Sequence, residues 1–273
     1  MKLMLTTHIT QRNMPQTALI TGASSGIGRA FAEQLAKQGV NPILVARRRP
    51  LLEEIAQTIH RQHGVMAEVV VADLATEQGI ARVEQRIGQA DNLDYLINNA
   101  GFGTPGLFAD IPLEKSLSMV RVHVEAATRL CWTALQGMVA RNRGTIINVS
   151  SLAAFLPYPS AATYCATKTY INTFSIALRK QLRATNIRVQ ALCPGYVYSG
   201  FHDTPEYVRF SRSKIPKWLW MQPEDVAAQS LRACRRNSVV FVPGLVNRLM
   251  FAIMRNALAG LILRRYKNGR HTP

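Results

Sequence analysis

From residue 17 to residue 242, short apolar runs rich in β-branched residues alternate strictly with longer segments whose apolar residues recur every three to four positions. The short runs fall at 17–21, 43–46, 67–72, 95–98, 145–150, 188–193 and 239–242, and the periodic segments at about 27–38, 51–63, 77–88, 113–141, 161–183 and 223–235. A period of two or a short apolar run marks a strand, and a period of 3.6 marks a helix with one buried face. Parallel strands are buried on both faces and are joined by crossover helices, so this alternation admits one solution, an α/β doubly wound parallel sheet. About seven strands with helices on both faces are expected. No repeat, low-complexity linker or change of composition interrupts the pattern before about residue 200, so 16–242 reads as a single domain. Residues 1–15 then form a flexible N-terminal extension and 243–273 a C-terminal one.

With 273 residues and 48% hydrophobic content, the chain can bury a large core and is neither disordered nor collagen-like. Its four cysteines (131, 165, 193 and 234) are far apart, with no C-x-x-C pair, which points to a reducing compartment and to no bound metal. Residues 1–14 are too short in apolar run for a signal peptide, and no run reaches the roughly 18 apolar residues of a spanning helix. The expected location is cytoplasmic. The formal net charge is +17, and no Asp or Glu follows Asp225 while nine Lys or Arg do. Such an excess attracts an anionic ligand or an acidic surface. There is no zinc finger, aromatic RNA-binding motif or basic zipper, and no nucleic-acid partner is expected.

Residues 21–28 read T-G-A-S-S-G-I-G, directly after the first strand and opening the first helix. Gly22, Ser24, Ser25, Gly26, Ile27 and Gly28 thus occupy a βα turn in which backbone N–H groups can approach a pyrophosphate at the positive end of a helix. The end of the second strand distinguishes the dinucleotides: a carboxylate there holds a ribose hydroxyl, a cation a 2′-phosphate. This chain has Arg47, Arg48 and Arg49 at the start of a helix, where the dipole disfavours cations unless an anion neutralises them. NADP(H) is therefore expected over NAD(H), with Arg47 as the main contact and Arg48 assisting.

Further along stand Asp73-Leu74, N-N-A-G at 98–101, Ser151, Y-C-A-T-K at 164–168 and P-G at 194–195. In this order and spacing, together with the glycine turn, they resemble the short-chain dehydrogenase/reductase family in its roughly 250-residue form, over residues 16–242. The resemblance implies a Rossmann fold and hydride transfer between a nicotinamide and a carbonyl or secondary alcohol. Tyr164 and Lys168 are four apart on a helix and so share a face. A phenol with a pKa of about 10 is a poor acid near neutrality, and a neighbouring ammonium is expected to lower it. Tyr164 would then give its proton to the carbonyl oxygen, with Ser151 orienting that oxygen and Lys168 also holding the nicotinamide ribose. The neighbouring Ser150 should point the other way, because adjacent strand residues face opposite sides.

The resemblance assigns further cofactor contacts to Asp73, Leu74, Asn99, Ala100, Gly101, Pro194, Gly195, Val197 and Ser199. One residue departs from the family pattern: His123 stands where many members carry an Asn that supports the Lys through a water. Its imidazole either serves the same relay or packs without a chemical role. Cys165, about 100° around the helix from Tyr164, reads as packing.

Residues 198–222 lack periodicity but carry Phe201, Tyr207, Phe210, Trp218 and Trp220. In the family this segment covers the substrate, so an apolar ketone or 3-oxoacyl-type substrate is expected, unless the aromatics only pin the loop. Arg209, Arg212, Lys214 and Lys217 offer a phosphate or an acyl-carrier chain a cationic alternative. The segments 113–141 and 161–183 are long enough to pair subunits into a homodimer or homotetramer. In the C-terminal extension Arg248 and Arg255 share one helix face, leaving Leu249, Phe251, Ile253, Met254, Leu258, Leu261 and Ile262 on a wide apolar arc. Its partner is the domain, a neighbouring subunit, or an anionic membrane touched weakly through 245–270 with Arg264, Arg265, Lys267 and Arg270. The alternative to catalysis is a non-catalytic NADP(H)-binding or sensing protein on the same fold.

Overall fold

The computed structural model describes residues 16–253, except Arg209. The expected N-terminal extension 1–15 lies outside the described residues, as do Arg209 and residues 254–273 of the expected C-terminal extension 243–273, with Met254, Arg255, Leu258, Leu261, Ile262, Arg264, Arg265, Lys267 and Arg270 among them. Strand β1 (Thr17–Thr21) leads through α1 (Gly26–Ala36) to β2 (Asn41–Ala46), and α2 (Arg49–His63) leads on to β3 (Glu68–Val71). Then follow α3 (Glu77–Gly88), β4 (Leu93–Asn98), α4 (Leu113–Val120), α5 (Ala127–Ala140) and β5 (Gly144–Val149). The chain continues through α6 (Ala162–Gln181), β6 (Ile187–Leu192), β7 (Tyr196–Val197), β8 (Trp220–Met221), α7 (Pro223–Arg235) and β9 (Val240–Phe241). Residues 245–253 begin one more helix.

Seven of these strands form one sheet in the order β3-β2-β1-β4-β5-β6-β9, and every pairing in it is parallel. Alternation along each strand feeds two cores. Ala18 and Ile20 of β1 face Phe31, Leu35, Leu52 and Val226 from α1, α2 and α7. Leu19, between them, faces Ile80, Val83, Leu130 and Met138 from α3 and α5. The strand order reverses between β1 and β4, so the loops after these strands part and leave a crevice at the carboxyl ends, where such sheets take ligands.

Two features depart from the sequence expectation. The helix anticipated over 113–141 is interrupted: Arg121–Ala126 widens into a π-helical turn between α4 and α5. Periodicity is blind to this, because a π turn inserts a residue without altering the apolar pattern on either side. The segment 198–222 is also not loop throughout, since β7 and β8 pair in parallel (Tyr196 with Trp220, Val197 with Met221) and tie its two ends together. Two-residue strands leave no periodic trace. Among the described residues no helix is long and apolar enough to cross a membrane. All four cysteines are free and buried.

Candidate active site

The glycine turn is shaped by contacts inside the protein. Gly22 and Gly26 hold φ of +65° and +54°, a region that side chains rarely adopt. A Cβ on Gly22 would lie 2.8 Å from Asn99 Nδ2, and one on Gly28 2.5 Å from the same atom. Asn99 occupies that space because its amide donates to the carbonyls of Thr21 (2.9 Å) and Gly22 (3.3 Å). Thr21 completes the tie: its hydroxyl accepts the N–H groups of Asn99 (2.9 Å) and Ala100 (3.0 Å) and donates to Ile97 O (3.3 Å). Thr21 opens the glycine motif, and its role in the site needs β1 and β4 to be adjacent. The glycines therefore let the end of β4 reach the loop, besides leaving room for a ligand.

The turn fits a dinucleotide phosphate. Ser25 at the N-cap of α1 makes no side-chain capping bond, so the first N–H groups of the helix still require an acceptor. Arg48 Nη2 donates to Ser24 Oγ (3.0 Å) and Ser25 Oγ (3.4 Å), which places a guanidinium on the rim of the loop. Arg47, Arg48 and Arg49 are all exposed; Arg48 reaches the loop, and Arg49 pairs with Glu53 at 3.2 Å. Asp73, after β3, spends Oδ1 on the N–H of Ala75 (3.0 Å), leaving Oδ2 for an outside donor. Leu74 is buried behind it, and Ile27 packs on the α1 core.

The second half of the site gathers at the carboxyl ends of β5 and β6. The chain divides Ser150 from Ser151 as strand alternation requires. Ser150 is buried and donates to Lys168 O (2.9 Å), fastening α6 to β5. Ser151 faces the crevice near the Tyr164 phenol, and its hydroxyl accepts the N–H of Ala153 (3.1 Å). One turn of α6 further, Lys168 Nζ donates to Val149 O (2.9 Å) and lies 5.7 Å from the Tyr164 ring centroid. Two of its three protons remain to hold a ligand hydroxyl.

The electrostatics differ from the simple expectation of a phenol acidified by an ammonium. Burial pushes the Tyr164 phenol up to about 12, only partly opposed by the neighbouring Ser151 hydroxyl. Burial also brings Lys168 down to about 8. Desolvation sets the direction at both groups. Phe201 lies 5.8 Å from the Tyr164 ring, and Tyr207 reaches over so that its hydroxyl occupies the space a side chain at Gly103 would need. His202 stacks on Phe210 at 4.3 Å, with Trp220 and Tyr196 around it. Of the cationic candidates, Arg212 is already bound to Asp203 (2.6 Å), while Lys214 and Lys217 are exposed. The aromatics therefore both pack the lid and line the space above Tyr164.

Ala100 and Gly101 form the floor between the two halves: a Cβ on Gly101 would stand 2.7 Å from His123 Nε2 and 3.6 Å from Lys168 Nζ. Ser199 closes over Gly26, 2.7 Å from the position of an added Cβ there, so the loop after β7 touches the glycine turn. Val197 is buried in β7, and Pro194 accepts the N–H of Leu152 (3.0 Å). Gly195 abuts Asn247, a buried residue of the 245–253 helix whose amide donates to Pro243 O (3.1 Å). No motif marks Asn247, because it lies beyond the motif-bearing core. Cys165 packs as expected, its Sγ 3.6 Å from Leu156 O.

A short chain dehydrogenase model matches residues 16–205. A protein named very-long-chain 3-oxoacyl-CoA reductase from Laccaria bicolor is 37% identical over 204 residues, covering 73% of this chain and 59% of that one. Inactive hydroxysteroid dehydrogenase-like protein 1 of Homo sapiens is 33% identical over 182 residues, covering 66% and 55%. The chain thus spans less than two thirds of the length of these curated relatives. Among solved structures, a short-chain dehydrogenase from Sphingobium yanoikuyae in complex with NADPH superposes with a TM-score of 0.81 at 30% identity, covering 91% of this chain and 95% of that one.

Proposed function

Since the chain belongs to the short-chain dehydrogenase/reductase family, we propose that it is an NADP(H)-dependent oxidoreductase interconverting a carbonyl and a secondary alcohol. The observation that carries this reading is the convergence of Ser151, Tyr164 and Lys168 on one wall of the crevice, opposite the glycine turn. When bound, the dinucleotide supplies or takes up the hydride. Its phosphates would be held by the loop of Gly22, Ser24, Ser25 and Gly26, its 2′-phosphate by Arg48 with Arg47 beside it, and its adenine by Asp73. Pro194, Gly195, Val197 and Ser199 would border the nicotinamide, and Lys168 its ribose.

Ser151 donates to or accepts from the substrate oxygen and keeps it within reach of the Tyr164 proton. A phenol pushed up to about 12 keeps that proton at neutral pH, which suits it as the acid in carbonyl reduction. The lid excludes water from above, and the Phe201 and Tyr207 rings favour an apolar ketone or a 3-oxoacyl thioester. Residues 16–242 act as the catalytic unit with 198–222 as its lid. A homodimer or homotetramer would form on helix faces that expose Leu113 and Leu117 of α4, Trp132 of α5 and Ile176 of α6. A cytoplasmic protein touching an anionic membrane weakly through 245–270 completes the proposal. It draws on the exposed Leu245, Leu249 and Ile253.

The test is NADPH consumption over a panel of apolar ketones, quinones and 3-oxoacyl thioesters, with Tyr164→Phe as control. Turnover by the parent, and its loss in Tyr164→Phe with NADPH affinity unchanged, is expected. Equal rates in both proteins would overturn the role of Tyr164. Absence of turnover alongside NADPH binding would favour the second reading, a non-catalytic NADP(H)-binding protein. That reading draws on the likeness to a relative named inactive.

A further inference from the structure

His123 sits in the middle of the π turn, is 2% exposed, and makes a directed bond from each ring nitrogen. Nε2 stands 3.1 Å from the backbone nitrogen of Phe102. A backbone N–H can only donate, so Nε2 is the acceptor and carries no proton. Nδ1 stands 3.0 Å from Thr167 Oγ1, and that hydroxyl spends its own proton on Tyr164 O at 2.9 Å. Thr167 must therefore accept, and Nδ1 is the protonated nitrogen. Both nitrogens are fully used within the protein, and neither is left to pass a proton.

The imidazole ring also abuts the site from two sides. Its centroid lies 5.8 Å from the Tyr164 ring and 5.9 Å from the Phe102 ring, edge to face in both cases. The charged and titratable groups that face it are the Lys168 ammonium and the Tyr164 phenol, both from α6. From the β4 loop it meets the backbone of Gly101 and Phe102. Burial and the Lys168 charge together hold its pKa well below the usual imidazole range. An imidazolium would also put a second proton against the Phe102 N–H.

We propose that His123 is a neutral clamp of fixed tautomer, a positioning residue that fastens the Gly101–Phe102 floor of the crevice to the turn of α6 carrying Tyr164, through Thr167. The inference rests on the catalytic reading of Tyr164, but its central claim concerns a tautomer and can be read without any substrate. The π turn explains how the clamp is reached. Local widening turns position 123 inward while Val122 and Ala126 stay in the core behind it. Thr167 enters the site as a second positioning residue. It lies inside the Y-C-A-T-K run, yet only its partner across the crevice gives it a task.

The experiment is long-range 15N–1H correlation spectroscopy of the imidazoles in the full chain, assigned with His123→Gln and recorded from pH 5 to pH 8. Nδ1 of His123 should show the shift of a protonated nitrogen and Nε2 that of an unprotonated one, both unchanged across the range. A ring protonated at Nε2, or one titrating between pH 6 and 7, overturns the proposal. Thr167→Val, which removes the acceptor of the Nδ1 proton but leaves the Phe102 N–H on Nε2, should keep the same tautomer and lower kcat in the same direction as His123→Gln; an unchanged kcat counts against the clamp. In turnover with NADPH, His123→Gln should lower kcat about tenfold to a hundredfold, as expected for two lost positioning bonds. The KM for NADPH should stay within about twofold and the pH profile should keep its shape. Loss of one limb of that profile would show that His123 relays protons and would refute the clamp. If neither parent nor Tyr164→Phe turns over any substrate, the catalytic reading fails while the spectrum still decides the tautomer.

Discussion

Lys168 offers a measurement in which stability reports directly on the site. Its ammonium is 5% exposed, is compensated by the single bond to Val149 O, and is held down to about 8 from an ordinary 10.5. The folded protein therefore binds this proton less tightly than the unfolded chain does. Between about pH 8 and 10.5 the unfolded state carries more protons, so this group makes the parent more stable as pH rises. Below pH 8 the buried charge is a standing destabilisation. A difference of about 2.5 pH units corresponds to about 3 kcal/mol, of which about 2 kcal/mol is relieved between pH 7 and pH 9.5. Lys168→Met removes the charge and also leaves Val149 O without its donor, a loss of about 1–3 kcal/mol that does not depend on pH. The net stability of the variant at pH 7 can thus fall either side of the parent. Its pH dependence cannot. Urea unfolding followed by tryptophan fluorescence, with the slope m checked for constancy, should find the parent gaining about 2 kcal/mol on Lys168→Met from pH 7 to pH 9.5. Other groups that titrate in this range are common to both proteins and cancel. A stability difference that stays constant within about 0.5 kcal/mol across that interval would refute the assignment of a depressed, desolvated ammonium.

Arg48→Ala should weaken NADPH binding by about 1.5–3 kcal/mol and bring NADPH and NADH affinities together, with a smaller effect for Arg47→Ala, as read by fluorescence titration. The reverse ranking would return the 2′-phosphate to Arg47. Asn99→Ala should lower the unfolding free energy by about 1–2 kcal/mol, because the Thr21 and Gly22 carbonyls lose their donor, and should weaken both dinucleotides alike; selective loss of NADPH alone would contradict a purely scaffolding role. If the proposed subunit contact uses the exposed face of α5, Trp132→Glu should shift sedimentation velocity toward a smaller species, and an unchanged profile would refute a contact through this face.

The alternation of apolar runs was enough to determine the parallel sheet, because burial on both faces leaves a strand no other composition. All seven strands of the sheet lie within two residues of where the pattern puts them. The four-residue spacing of Tyr164 and Lys168 and the opposite facing of Ser150 and Ser151 were likewise legible, since the helical turn and strand alternation are local rules, whereas the place of Ser151 beside Tyr164 came from the family resemblance. What required the tertiary structure was everything set by contact between distant segments. Asn99 and Thr21 lie 78 positions apart yet together hold the glycine turn. That Arg48, and not Arg47, bends back to Ser24 and Ser25 depends on side-chain placement across 23 to 24 positions. Phenol and ammonium pKa values depend on how deeply the lid buries them, and a sequence carries no measure of desolvation. The π turn at 121–126 left the apolar period on its flanks intact, so His123 could be seen as a departure from a family pattern but not as a clamp. Its tautomer follows only from the two partners that the fold places at its nitrogens, Phe102 and Thr167, 21 positions before it and 44 after.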